Sequence, residues 1–373
     1  MSALIVFNFD GTGNEPEDAK SLPKDDSSIS NILKLHLLMG GTLFEDADLR
    51  GISDNKNIHR CFYYQGVGTY GHRLNRIINQ GLAPENLDVA TILNRAKQDF
   101  KDCYKTGDTL LIIGFSRGAA ITRPFATIIA SQMLNKETEP CIFLCAFDTV
   151  ASIGLPNLST RSRPDYDVVF ENGNTLSPLV TKALHLVSLD DKRRPFQPTL
   201  MNHEPNKTFE IWFAGSHSDI GGGFAQDGLS DITLKFVKDW LTQMSQITEL
   251  PDIEFKTLTS QAIDEACPKE LKGVITPKDI ECKPNPFGTN HQQRRWPVIG
   301  LITMDDRECC VMQHDQIQTD MLPIIHSSVT IRLNHDKSYQ PKSLELIAHS
   351  VWDNFYDSPT HFDNIKQHRE SRT

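Results

Sequence analysis

The sequence has no long apolar run. Nowhere do its 373 residues approach the ~18 to 20 consecutive apolar residues of a membrane-spanning helix, because Arg117 and Arg123 interrupt the most apolar region. No basic segment precedes the first apolar run at 3–9, which is also too short for the core of a signal peptide. We therefore expect the chain to be made in the cytoplasm without a signal peptide.

Basic charge is also scarce. The 38 lysines and arginines are outnumbered by 48 aspartates and glutamates, which gives a formal net charge of −10. Proteins that bind nucleic acid present clustered cations that neutralise phosphates. We therefore expect no nucleic-acid partner.

Closely spaced cysteine pairs are missing. The eight cysteines form no C-x-x-C pair and repeat no spacing, whereas structural zinc sites and dithiol redox sites use such pairs. A cytoplasmic chain of this size needs no disulfides. We expect reduced and mostly buried thiols, no metal and no cofactor.

Strands and helices alternate along the chain. Apolar runs without polar alternation are typical of central strands covered on both faces. Such runs lie at 3–9, 109–113, 141–147 and 208–214. Apolar residues at helical spacing predict helices at 89–103, 230–246 and 343–357, with a further helix directly after residue 116. This order predicts an α/β fold with a mostly parallel, doubly wound sheet.

Two stretches lack this rhythm. Residues 155–205 are rich in proline, asparagine, serine and arginine, and residues 255–320 are rich in proline with little periodicity. We interpret both as lid or insertion segments over the active-site edge of one domain that spans residues 1–373.

The motif with the clearest chemistry is G-x-S-x-G at Gly114, Ser116 and Gly118. It lies directly between a predicted strand and a predicted helix, which is the context of a nucleophile elbow. The serine hydroxyl then stands at a helix N-terminus, where the Arg117 amide can hold a developing oxyanion. The alternative interpretation is a glycine-rich structural turn.

A serine nucleophile needs a base and an acid, and the sequence offers two pairs. Asp148 follows one predicted strand, while His217 and Asp219 follow another; His326 precedes a further segment, SSVTIRL. Ser116–Asp148–His217 and Ser116–Asp219–His326 both obey the hydrolase order of serine, acid and histidine. We favour the first, because parallel strands lie ~4.8 Å apart and Asp148 follows the strand one crossover after Ser116.

The N-terminal stretch IVFNFDGTGN permits three interpretations. Haloacid dehalogenase phosphatases have an aspartate at the position of Asn8, and an amide cannot replace that nucleophile. A second enzyme class also places an aspartate followed by a glycine, here Asp10 and Gly11, at the tip of a first strand. The third interpretation is a tight turn without a catalytic part.

A charged run at 190–194 is the last candidate. Asp190, Asp191, Arg193 and Arg194 could engage a phospholipid head group. A solvated charge run is the commoner outcome for such a pattern.

Seven stretches together resemble the catalytic domain of type VI secretion phospholipase effectors of the first lipase class. They are IVFNFDGTGN (5–14), YYQGVGT (63–69), GFSRGAA (114–120), FDTVASIG (147–154), HLVSLDDKRRPF (185–196), IWFAGSHSDIGGGF (211–224) and IHSSVTIRL (325–333). The pattern departs from the family at Gly13, where an aromatic residue is common. The long C-terminal membrane-anchoring region of larger members has no counterpart in this sequence.

The resemblance implies an α/β-hydrolase that cleaves fatty acyl esters of bacterial glycerophospholipids. It further implies that Asp-Gly-Thr lies beside the serine turn, with the Gly11 or Thr12 amide as a second oxyanion donor and Asp10 fixing the loop. It also implies delivery by a secretion needle to act on target-cell membranes from the periplasm, and a cognate immunity protein in the producer. The alternatives are a neutral lipase, a small-ester or thioester hydrolase, and a non-catalytic scaffold of the same fold that binds a membrane or a partner.

Overall fold

The computed structural model describes residues 3–20, 26–68, 85–133, 139, 141–150, 176–292, 304–352 and 360–362. The strands in these ranges are β1 Leu4–Phe9, β2 Ser27–Ser30, β3 Ile58–Tyr64, β4 Thr109–Phe115, β5 Ile142–Phe147, β6 Val180–Ser188, β7 Thr208–Phe213, β8 Gly222–Phe224, β9 Val311–Gln313, β10 Gln316–Gln318, β11 Ile324–His326, β12 His349–Trp352 and β13 Thr360–Phe362. The α-helices are α1 Asn31–Leu38, α2 Glu85–Cys103, α3 Arg117–Met133, α4 His217–Gly221, α5 Gly228–Ile247, α6 Ser260–Ala266, α7 Pro277–Ile280 and α8 Ser327–His335.

Nine strands form one sheet in the order β13-β12-β11-β7-β6-β5-β4-β1-β3. All neighbouring pairs are parallel except β12 and β13, which are antiparallel. From β1 the chain first adds β3 on one side and then β4 on the other, so the order of the strands reverses at β1. Ligands of open α/β sheets bind at the carboxyl ends of the strands at such a reversal. The loops after β1 and β4 therefore lie where a site is expected.

Both faces of the sheet are covered, as strands without polar alternation predict. Alternate residues of β1 and β4 join two different core clusters. One face packs on α1 and α5, and the other packs on α2 and α3. The predicted α/β-hydrolase-like fold class, a mostly parallel sheet with helices on both faces, is confirmed.

The element predictions differ from the structure in two places. The stretch 155–205, interpreted as an insertion, contains β6, which pairs with β5 and β7 in the middle of the sheet. The helix predicted at 343–357 is wrong over the described residues, where a short 3-10 turn at Lys342–Leu344 is followed by β12. Pairing with β11 overrides the helical spacing of that segment.

The other predicted insertion, 255–320, contributes no strand of the nine-stranded sheet within its described residues. It supplies α6, α7 and the antiparallel pair of β9 and β10. Residues 155–175 and 293–303 of the two predicted insertions lie outside the described residues.

Candidate active site

The G-x-S-x-G turn joins β4 to α3. Ser116 has a φ of 57°, a left-handed conformation that is strained for a residue with a side chain. Its backbone is held on both sides, because its N–H donates to Phe147 O at 3.0 Å and its carbonyl accepts the Val150 N–H at 3.3 Å. A Cβ on Gly118 would lie 2.3 Å from Phe9 O. Glycine is therefore required there for α3 to approach β1.

Asp148 follows β5, the strand next to β4. Phe115 and Phe147 are paired in the register of the two strands, so Ser116 and Asp148 leave the sheet at the same level. Asp148 also has a left-handed φ, 40°, and is fully buried.

A buried histidine supports this second strained residue. The Nε2 atom of His185 accepts the Thr149 N–H at 3.1 Å. Because Nε2 is an acceptor, Nδ1 carries the proton and donates to Glu210 Oε2 at 2.7 Å. His185 thereby fixes the backbone directly after Asp148.

His217 begins α4, after β7. Its Nδ1 lies 2.6 Å from Asp148 Oδ2, and the two side chains are almost completely buried. Donation of the Nδ1 proton to the carboxylate leaves Nε2 as an acceptor, the tautomer that a general base requires. The ring packs on Phe115 and Phe196, with centroids 4.6 and 5.0 Å away.

Gly221 allows this approach. A Cβ at this position would lie 2.1 Å from the Phe115 ring. Any larger residue would force α4 and its histidine away from the strand that ends beside Ser116.

Opposing influences set the pKa values of this pair. Burial would raise the pKa of Asp148, but the Arg307 guanidinium and the hydrogen bond from His217 outweigh it and hold this pKa below its usual range. Burial lowers the pKa of His217, and the interactions with Asp148 oppose this shift only in part. The structure therefore favours an ionised acid beside a neutral imidazole.

The second predicted pair is not brought together. Asp219 lies in the first turn of α4, where its carboxylate accepts the Ser216 N–H at 2.8 Å and pairs with His291 Nδ1 at 2.5 Å. His291 also contacts Asp26 through Nε2 at 2.9 Å. Within the described part of the chain, Asp219 makes no hydrogen bond to His326.

His326 has a different environment. Its ring stacks on Phe213 with centroids 4.8 Å apart and meets Phe236 edge-on at 5.4 Å. Its Nδ1 pairs with Ser328 Oγ at 2.8 Å at the start of α8. Burial lowers the pKa of His326 to about 3. These contacts are those of a helix cap packed in the core.

Asp10 holds the loop after β1 through three hydrogen bonds. Its Oδ2 accepts the hydroxyls of Ser30 at 2.7 Å and Tyr63 at 2.6 Å, and its Oδ1 accepts the Gly11 N–H at 2.7 Å. The Gly11 N–H, one of the two predicted oxyanion donors from this loop, is thus committed to Asp10. Among the described residues, the other predicted donor, the Thr12 N–H, has no hydrogen-bond acceptor.

Thr12 is also tied to the serine turn. The guanidinium of Arg117 donates through Nε to Thr12 Oγ1. Because the Arg117 amide belongs to the first turn of α3, this contact links the two backbone segments from which the predicted oxyanion donors come.

Protonation of Asp10 gives a stability prediction. Burial raises the pKa of Asp10 to about 6 despite its three hydrogen bonds, whereas an unfolded aspartate titrates near ~3.9. A carboxyl whose pKa rises on folding stabilises the fold below its unfolded pKa, and this contribution is lost as pH rises to the folded pKa. Between pH ~4 and ~6, we expect the unfolding free energy of Asp10→Asn to rise by roughly 2 to 3 kcal/mol relative to that of the wild type. Above pH ~6 this difference should stay constant.

Denaturant unfolding of both proteins from pH 4 to 8 measures this difference. Comparing the two proteins cancels the titration of Asp190, whose pKa is also raised to about 6 by burial. A difference in unfolding free energy that stays constant across this range would contradict the prediction.

The charged run after β6 is not a solvated one. Asp190 and Asp191 are only 5% and 1% exposed. Asp191 accepts the His217 N–H at 3.2 Å and pairs with Arg193, while Asp190 accepts the Gly215 N–H at 2.7 Å. The two aspartates therefore fix the backbone that carries His217.

Sequence reasoning missed Arg307. Its guanidinium is fully buried and forms two parallel bonds to Asp148, Nη1 to Oδ1 at 2.6 Å and Nη2 to Oδ2 at 2.9 Å. In the sequence it stands in DDRECC, where nothing distinguishes it from a solvated charge.

The described residues contain no group of three or more histidine, cysteine or acidic side chains that could hold a metal ion. No helix among them is both long and apolar enough to cross a membrane.

The sheet, its helices and the G-x-S-x-G turn define an α/β-hydrolase-like protein. The family described as "T6SS, Phospholipase effector Tle1-like, catalytic domain" matches residues 3–140 and 130–240. The chain belongs to this family of type VI secretion effector domains, which confirms the resemblance noted in the sequence. No curated protein matches it significantly.

Solved structures share limited similarity with the chain. The Tle1 effector bound to the VgrG spike of the type VI secretion system has 22% identity over 60% of this chain and 51% of its own, with a TM-score of 0.36. An uncharacterized protein from Pseudomonas aeruginosa has 20% identity over 71% and 50%, with a TM-score of 0.39. ClbQ from the colibactin pathway has 13% identity over 66% and 100%, with a TM-score of 0.33. The chain spans about half the length of the first two.

Proposed function

We propose that the protein is a serine esterase of the phospholipase A type, which cleaves fatty acyl esters of glycerophospholipids. The observation that carries this proposal is the 2.6 Å contact between His217 and Asp148, both at the carboxyl ends of strands in the same sheet as the Ser116 turn. Membership of a family of phospholipase effector domains supports the substrate class.

In the proposed mechanism, Ser116 attacks the ester carbonyl and His217 Nε2 accepts the hydroxyl proton. Asp148 remains ionised and stabilises the imidazolium that forms. The amides of Arg117 and Thr12 hold the oxyanion of the tetrahedral intermediate. His217 then protonates the leaving alcohol, an acyl-enzyme remains on Ser116, and a water activated by His217 releases the fatty acid.

We further propose an antibacterial role. Family membership supports delivery by a type VI secretion system, and one solved relative is an effector bound to the VgrG spike. Secretion-needle components would then be partners in delivery, and the lipids of the target membrane, reached from the periplasm, would be the substrate. The producing cell would need a cognate immunity protein.

Ser116→Ala provides the test. We expect the wild type to release fatty acid from vesicles of phosphatidylethanolamine and phosphatidylglycerol, and Ser116→Ala to release at least about 10,000-fold less, because the nucleophile is lost. Released fatty acid and lysophospholipid are measured by mass spectrometry. Triacylglycerol emulsions and a soluble short-chain ester are assayed in parallel.

Turnover of the emulsion or the soluble ester without turnover of vesicles would contradict the phospholipase assignment and favour a neutral lipase or a small-ester hydrolase. No turnover of any substrate would favour a non-catalytic scaffold. In cells, periplasm-directed wild type should arrest bacterial growth while periplasmic Ser116→Ala does not. Absence of toxicity from both would contradict the antibacterial role.

A further inference from the structure

The carboxylate of Asp148 has all its acceptor positions filled. Oδ1 accepts from Arg307 Nη1 and the Ser188 N–H, and Oδ2 accepts from Arg307 Nη2 and His217 Nδ1. Bidentate pairing of this kind fixes the plane of a carboxylate as well as its position. The orientation of the oxygen that His217 meets is therefore set by Arg307.

The Arg307 guanidinium also fixes backbone segments next to His217. Arg307 Nη1 donates to Ser188 O at 2.9 Å, at the end of β6, and Nη2 donates to Phe196 O. The ring of Phe196 packs edge-on against His217. One buried side chain thus joins the acid, a strand end and the aromatic contact of the candidate base.

Arg307 is held in place by its own segment. Asp305 N donates to Lys192 O at 2.6 Å, Met304 forms a β-bridge with Arg193, and Asp306 pairs with Lys192 at 3.0 Å. The segment 304–307 therefore lies along the loop after β6.

The charges near His217 balance. Asp148 meets its ring, Asp191 meets its backbone N–H, Arg193 lies close enough to influence its titration, and Arg307 pairs with Asp148. The other faces of the ring are covered by aromatic side chains. On α4, the carboxylate of Asp219 is engaged with His291. In the loop after β6, the carboxylate of Asp190 accepts hydrogen bonds from Gly215, Asn290 and Tyr339. Removal of Arg307 would leave an excess negative charge beside the imidazole.

We propose that Arg307 is a positioning residue for the hydrolase: its fork orients Asp148 toward His217 and balances the carboxylate charge, so that His217 remains an unprotonated base in mildly acidic surroundings. This proposal rests on the proposed function for its catalytic consequence. Its electrostatic part concerns only the pKa of His217, which can be measured without substrate turnover.

The test compares Arg307→Met and Arg307→Lys in the full chain. The titration of His217 is followed by NMR with isotope-labelled histidine, and His217→Gln identifies its resonance. We expect Arg307→Met to raise the His217 pKa by about one unit or more, because a nearby cation is lost. The acidic limb of kcat/KM on a soluble ester should move to higher pH by the same amount.

Arg307→Lys separates charge from geometry. An ammonium keeps the charge but cannot form the fork. We expect the His217 pKa to stay within about 0.5 unit of the wild type, while kcat falls about tenfold with KM unchanged.

Arg50→Met is the matched control. Arg50 forms a similar but only partly buried fork with Asp99, Nη2 to Oδ2 at 2.9 Å and Nε to Oδ1 at 3.2 Å, away from the candidate site. We expect it to lower stability without moving the His217 titration.

Three results would overturn the proposal: a folded Arg307→Met with the wild-type His217 titration, an equal shift in Arg50→Met, or a wild-type kcat in Arg307→Lys. If Arg307→Met does not fold, Arg307→Lys still decides through its kcat and titration. If the wild type hydrolyses no ester, the proposed function fails, and the NMR titration still shows whether Arg307 controls His217.

Discussion

Replacement of His217 by alanine is expected to lower ester turnover by about 10,000-fold or more, as much as replacement of Ser116, because triad members act as a unit. His326→Ala should keep turnover within about threefold of the wild type, because His326 lies between Phe213 and Phe236 as a helix cap. It should instead lower the free energy of unfolding by roughly 1 to 3 kcal/mol.

The two variants are compared by kcat on a soluble ester and by denaturant unfolding. This pair of readouts distinguishes loss of chemistry from loss of packing. A folded His217→Ala with near-wild-type turnover, together with an inactive but folded His326→Ala, would establish the other acid and base.

Asp148→Asn is expected to affect both stability and activity. The change leaves the buried Arg307 guanidinium without its counter-ion, and loss of one partner of a buried ion pair costs about 3 to 5 kcal/mol. Turnover should fall about 1,000- to 10,000-fold, because asparagine no longer holds the required tautomer of His217.

Adding Arg307→Met to Asp148→Asn removes the unpaired cation. We expect the double variant to regain roughly 2 kcal/mol of the lost unfolding free energy while remaining inactive. A double variant whose stability loss equals the sum of the two single losses would show that the residues are not coupled.

The sequence predicts the mostly apolar strands of the sheet well but misses β6, which lies in its middle. Strands β1, β4, β5 and β7 are mostly apolar and lack regular polar alternation, so their pattern alone identifies them. Strand β6, VTKALHLVS, contains polar residues, and its His185 is buried only because Glu210 and the Thr149 amide satisfy both ring nitrogens. Partners that come from other strands cannot be seen in a local pattern.

The candidate site divides in the same way. Ser116 and Asp148 directly follow β4 and β5, and His217 follows β7 after three residues, so strand prediction brings them to one edge. Arg307 and Asp191 contact this group from loops. The local sequence of a loop does not show where its charged side chains point. Local sequence likewise does not show which imidazole, that of His217 or that of His326, faces Asp148.

The bond from Arg307 to Asp148 joins residues 159 positions apart. At ribosomal speeds of ~5 to 20 residues per second, the guanidinium is synthesised roughly 8 to 30 s after its carboxylate partner. The contact must also close a long loop, and non-local contacts of this kind form slowly. A nascent chain can therefore complete its central strands and its serine turn while the acid still lacks its cation, so that assembly of the site is timed by translation of a loop far downstream.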